Sequence, residues 1–137
     1  MARPTLLLFA YRKPGTTPEH FYEYYENVHI KLIKELAGDT FPLSHTRRYV
    51  HRTKAAAPAP ASGPDAESKA STTSAGRNAE YPATVFLGEQ TDFEYDCCSE
   101  IIFEDEAAMH AFKDRMAEPE RAARVAADEE NFLDRSK

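Results

Sequence analysis

Residues 16–37, TTPEHFYEYYENVHIKLIKELA, followed at 44–53 by SHTRRYVHRT, decide how this chain is read. Thr16-Thr17-Pro18-Glu19 supplies a hydroxyl cap, a proline in the first turn and a carboxylate three residues after Thr16, the signature of a capped helix start. The helix is expected to run to about Ala37 and to stop at Gly38. Phe21, Tyr25, Val28, Leu32 and Leu36 keep the three-or-four spacing of a core stripe. Tyr22, Glu26, His29 and Ile33 form the neighbouring stripe, so His29 falls on the border between core and something wetter. The second stretch alternates by two. As a strand over Ser44–Thr53 it puts His45, Arg47, Tyr49 and His51 on one face and Thr46 and Val50 on the other. A helix histidine and a polar strand face converging on one surface need water, a partner or a substrate.

Working outward, Thr5–Arg12 is an apolar, aromatic run closed by Lys13-Pro14-Gly15 and reads as a first, buried strand. Lys54–Glu80 changes to Ala, Pro, Ser, Thr and Gly, with too little apolar surface to offset the entropy of ordering. It reads as a flexible insertion, disordered or a lid, within a single domain spanning 1–137. A short extended piece, Ala83–Leu87, leads to a third strand over Asp96–Phe103. There Ser99, Ile101 and Phe103 share one face, and Asp96, Cys98, Glu100 and Ile102 share the other. Glu104–Met116 is helical with Ala108, Met109, Phe112 and Met116 inward, and Pro119 restarts a helix through Val125, Ala126, Phe132 and Leu133. Two strand-helix-strand halves describe an α+β, ferredoxin-like fold, an antiparallel sheet with helices on one face. The fourth strand of that arrangement is not found before Lys137; either it is missing by truncation or another chain takes its place. The uncovered sheet face, read as carrying Phe9, Tyr49 and Ile102, points to a homodimer.

Composition narrows the function. Lys and Arg number 17 against 23 Asp and Glu, a net charge of −6, which offers no electrostatic footprint for a phosphate backbone. Nucleic acid is not an expected partner. The longest apolar run, Leu6–Ala10, is far short of the roughly 20 residues that cross a bilayer, and no signal pattern precedes it; a cytoplasmic protein without a membrane partner is expected. Cys97 and Cys98 are adjacent and point to opposite faces, so they cannot readily bridge each other. They read as small buried hydrophobes, and no spaced histidine pair or second cysteine cluster completes a metal site.

Leu8-Phe9-Ala10-Tyr11-Arg12-Lys13-Pro14-Gly15, Tyr25-Glu26-Asn27-Val28-His29-Ile30 and Phe41–Val50 together resemble the fungal branch of the EthD family. Phe103–Ala108 and Asp128–Arg135 add to the likeness, which covers nearly everything outside the insertion. The resemblance implies a dimeric α/β barrel in which two ferredoxin-like units pack sheet against sheet. It also implies a cofactor-independent lyase, similar to the small decarboxylases that act on anthrone-type β-keto acids in aromatic polyketide pathways. The histidine of the Asn-Val-His-Ile motif, His29, is the residue it matches to the reactive one.

Decarboxylation of a β-keto acid requires an aligned carboxylate, donors for the developing enolate and a proton for carbon. His29 suits the acid because imidazole titrates near neutrality. Arg47 or Arg48, which face opposite sides, could hold the carboxylate, and His45 and Tyr49 could donate to the enolate. Tyr11, Phe9 and Tyr22 offer flat walls for fused rings. Glu100 either fixes a histidine tautomer or is a solvated strand residue. Three other readings stay open: a cofactor-free anthrone monooxygenase, a polyketide cyclase or dehydratase, and a non-catalytic barrel that binds a hydrophobic ligand.

Overall fold

The computed structural model describes residues 3–55 and 77–137; most of the insertion expected over 54–80, and with it the lid reading, lies outside the described residues. Two units emerge, Met1–Tyr49 with Tyr95–Lys137, and Val50–Glu94.

In the first unit the strands are β1 (Thr5–Ala10), β2 (Ser44–Tyr49) and β3 (Cys97–Ile102), in the spatial order β1-β3-β2 with both pairings antiparallel. Residues directly opposite in such a ladder share a face. Ala10, Cys97 and Tyr49 therefore line up, as do Leu8, Ser99 and Arg47, and Ile101 and His45. Phe9, Cys98 and Arg48 belong to the reverse face, with Leu7, Glu100 and Thr46. This corrects the expected uncovered face: Phe9 and Ile102 do share it, but Tyr49 points the other way.

The predicted long helix is made of α1 (Pro18–Tyr24) and α2 (Ile30–Ala37), joined by a π-helical turn over Tyr25–His29. Thr17 rather than Thr16 caps it, its side chain accepting from the His20 backbone N–H at 3.0 Å. In the π turn the Ile30 N–H reaches back five residues to the Tyr25 carbonyl, which fits one extra residue into a turn. That extra residue resets the stripe. Val28, expected in the core, is 43% exposed, whereas His29 is buried along with Phe21, Tyr25, Ile30 and Leu36. Gly38 takes the chain out with φ of +57°, a value that suits glycine.

Helices α3 (Glu106–Met116) and α4 (Pro119–Glu129) complete the layer. Asp105 caps α3 by accepting from the Ala108 N–H at 2.8 Å. After α4, Phe132 returns to the core with Ala10, Phe21, Tyr25 and Cys97. The chain is held there by backbone bonds from Lys13 N–H to Phe132 O and from Asp134 N–H to Tyr11 O. Strand β1 does not have the burial read into it: Leu6, Leu7, Leu8 and Phe9 stay 45–58% exposed.

The second unit holds the rest of the expected second strand. Past Tyr49 the chain pairs with a different partner, Thr53 N–H donating to Pro82 O and Thr84 N–H to His51 O. Accordingly His51 does not belong to the strand row; its Nδ1 lies 2.7 Å from Thr84 Oγ1.

Candidate functional site

Two polar clusters meet around the ring of Tyr25. In the first, Glu26 of the π turn accepts from Arg47 Nε at 2.5 Å and Nη2 at 3.0 Å, and from the Tyr49 hydroxyl at 2.6 Å. The third Arg47 nitrogen donates to the His45 carbonyl at 2.9 Å. The bonded Arg47 guanidinium holds the Glu26 carboxyl below its ordinary range. Burial, reinforced by the bond to Glu26, pushes the Tyr49 phenol up, so Tyr49 is a proton-bearing donor committed to Glu26. Arg47 spends three of its five N–H donors within the chain, including the Nε–Nη2 edge that would grip a carboxylate bidentately.

In the second cluster, His29 Nδ1 lies 2.8 Å from Asp128 Oδ2, and Tyr24 donates its hydroxyl to Asp128 Oδ1 at 2.6 Å. Asn131 in turn donates to the Tyr24 oxygen at 2.9 Å. An acceptor carboxylate at Nδ1 fixes the tautomer: Nδ1 carries the proton and Nε2 is left to exchange one. His29 Nε2 makes no hydrogen bond among the described residues and is not among the wholly buried unpartnered atoms, so it retains an open side. Phe132 lies 4.8 Å from the imidazole between centroids and Tyr25 5.7 Å, giving it apolar flanks. Asp128 was not legible as a partner, since 99 residues separate it from His29.

His45 stands near both clusters. Its ring is 6.2 Å from Tyr25 between centroids, and its buried Nε2 has no hydrogen-bond partner among the described residues. Burial, then the nearby Arg47 charge, lowers it from 6.5 to about 4. Because the unfolded chain binds this proton more readily than the folded one, stability should fall as pH drops from about 6.5 towards 4. Urea unfolding across that range should show the loss, and His45→Gln should reduce it; an unchanged profile in the variant would assign the loss elsewhere.

The remaining expected site residues separate. Tyr22 packs edge-on against Tyr49 at 4.8 Å and stays half exposed. Phe9 and Glu100 are on the reverse face, Phe9 against Tyr95 at 4.9 Å and Glu100 3.5 Å from Arg48. Glu100 is therefore a strand-surface partner of Arg48 and not the tautomer-fixing acid, a position that Asp128 holds. Tyr11 lies past the end of β1 with Lys137 Nζ 5.8 Å from its ring centroid. Cys97 is buried with its Sγ 3.6 Å from Ser99 Oγ, and burial raises its thiol to about 11. Ser99 also meets the Tyr25 hydroxyl at 3.2 Å, tying the π turn to the middle of β3.

Among the described residues no group of three or more His, Cys, Asp or Glu could hold a metal ion, and no helix is long and apolar enough to cross a membrane. No curated protein and no solved structure gives a significant match. The family model of the EthD domain matches residues 13–136, which include both polar clusters. This chain belongs to the EthD family.

Proposed function

We propose that this EthD-domain protein is a lyase that decarboxylates an aromatic β-keto acid, with His29 as its proton donor. The observation that carries the reading is the buried Asp128–His29 pair, open at Nε2 and flanked by the Phe132 and Tyr25 rings. In the proposed step the bond to the carboxylate breaks and its electron pair moves into the ketone, giving carbon dioxide and an enolate. The His29 imidazolium, stabilised by Asp128, passes its Nε2 proton to the enolate carbon and recovers one from water. His45, neutral, would have to turn its wholly buried Nε2 outward to donate to the ketone oxygen as charge develops there. Glu26, Arg47 and Tyr49 act as positioning residues that hold the strand bearing His45 against the π turn.

The test is an anaerobic assay of the purified protein with an anthrone carboxylic acid. Release of carbon dioxide without dioxygen, lost in His29→Ala, is expected. Turnover that requires dioxygen would favour an oxygenase instead, and saturable binding without turnover would favour a ligand carrier.

The reading extends to a homodimer of barrel type. Leu7 and Phe9 leave large apolar area exposed on one sheet face, and in β1 they belong to an edge strand of the described sheet. Such a face favours association. Sedimentation should give a dimer at micromolar concentration, and Leu7→Glu with Phe9→Glu should shift it to monomer; a wild-type monomer would remove this part of the proposal.

A further inference from the structure

With the Nε–Nη2 edge of Arg47 engaged by Glu26, a second cation is the better holder for the carboxylate of the proposed substrate. Two cavities lie side by side in the first unit. The larger, about 290 Å³, is walled by Ile33 of α2, Phe112 and Met116 of α3 and Val125 of α4. The smaller, about 210 Å³, is bounded by Leu8, Tyr11, Leu133 and Lys137. Glu129 and Arg135 line both. Arg135 is bound to Glu129 at 3.3 Å and to Glu130 at 3.2 Å, and its side chain is 45% exposed.

We propose that Arg135 is the anchor for the carboxylate of a fused-ring aromatic acid whose apolar body occupies the two cavities on either side of it. The inference rests on the lyase reading for its choice of ligand class, but its geometry is independent of turnover. Neither cavity alone reaches the lower limit of about 300 Å³ for drug-sized ligands, whereas the two joined do. What stands between them is an ion pair of low cost to open, since half-exposed pairs contribute little to stability. An arriving carboxylate can take the guanidinium fork bidentately, where Glu129 and Glu130 each make only a single contact, to Nε and to Nη1. The displaced Glu130 is already mostly in water. Ring contacts from Phe112 and Tyr11 and the polarisable sulfur of Met116 suit a flat hydrocarbon body. In sequence, Ile33 of the larger cavity is four residues after His29, and Glu129, which lines both, follows Asp128.

The experiment is a fluorescence titration of the full chain with anthracene-2-carboxylate and, as the uncharged counterpart, 2-(hydroxymethyl)anthracene. Arg135→Gln should weaken the acid about tenfold or more and leave the alcohol unchanged, as expected for losing a charge-assisted contact. Glu129→Gln, which frees Arg135, should tighten the acid several-fold and serves as the second reading if Arg135→Gln folds poorly. Equal affinity for acid and alcohol in the wild type, or an acid affinity that neither substitution changes, overturns the proposal. Arg135-dependent binding of anthracene-2-carboxylate, with no carbon dioxide released from the anthrone carboxylic acid, would sink the lyase reading alone. Carbon dioxide release with unaltered acid affinity in both variants would sink the anchor alone.

Discussion

Asp128→Asn is expected to reduce turnover by about 10²–10⁴-fold with the fold intact, the range seen when a general acid or its orienting carboxylate is disabled. The amide is the same size but is a poorer acceptor and can present its N–H₂ to the imidazole. It then stabilises the wrong tautomer and no longer supports the imidazolium. The loss should appear in kcat more than in KM, because the ring pocket around His29 is formed by Phe132 and Tyr25 and not by the carboxylate. Tyr24, which donates to the same carboxylate at 2.6 Å, can rotate its hydroxyl to suit the Asn oxygen, so thermal unfolding should move little. Turnover within threefold of wild type would show that Asp128 does not orient the reactive group, and the proton donor would have to be sought elsewhere.

Glu26→Ala should cost about 3 kcal/mol in urea unfolding, near the lower end for breaking a largely buried ion pair. Arg47 and Glu26 keep only 15% and 26% of their side chains accessible, and the substitution leaves both the guanidinium and the Tyr49 hydroxyl without their acceptor. Replacing the pair together, Glu26→Leu with Arg47→Met, should recover part of the loss, since an apolar pair avoids the desolvation that an isolated charge suffers. The pH dependence has a defined sign. Glu26 is held below its ordinary range by Arg47, so its contribution is complete above the unfolded value near 4.3 and is lost as pH falls through the lower folded value. Glu26→Gln should therefore flatten the part of the acid limb below about pH 4, a different window from that of His45. A cost under 1 kcal/mol for Glu26→Ala would mean that Arg47 finds another acceptor.

Much of this arrangement could be read from residue types, and the exceptions have definite causes. Alternation placed His45, Arg47 and Tyr49 on one face because strand periodicity leaves no other choice. The strand face of Phe9 relative to Tyr49 could not be read the same way, since it depends on the register of two strands against a third. Val28 and His29 exchange places because an ordinary helical period does not hold here: the π turn adds a residue that no propensity marks. Glu26 was visible beside His29 but not as the acceptor for two strand residues. Asp128 belongs to a helix whose apolar stripe reads through Val125, Ala126 and Phe132. An acid within that stripe was the available signal, and only the tertiary fold gives it a partner.

The five-residue turn at Tyr25–His29 also acts as a phase shifter. Winding the same residues as a regular α-helix, with none removed, would rotate everything upstream against everything downstream by about 100°. The capping threonine and the terminal glycine would both survive, and the helix would look sound by every local measure. Yet the imidazole and the acid that grips Arg47 could no longer face their partners together, so this chain's chemistry depends on an irregularity in its spiral as much as on the identity of any side chain.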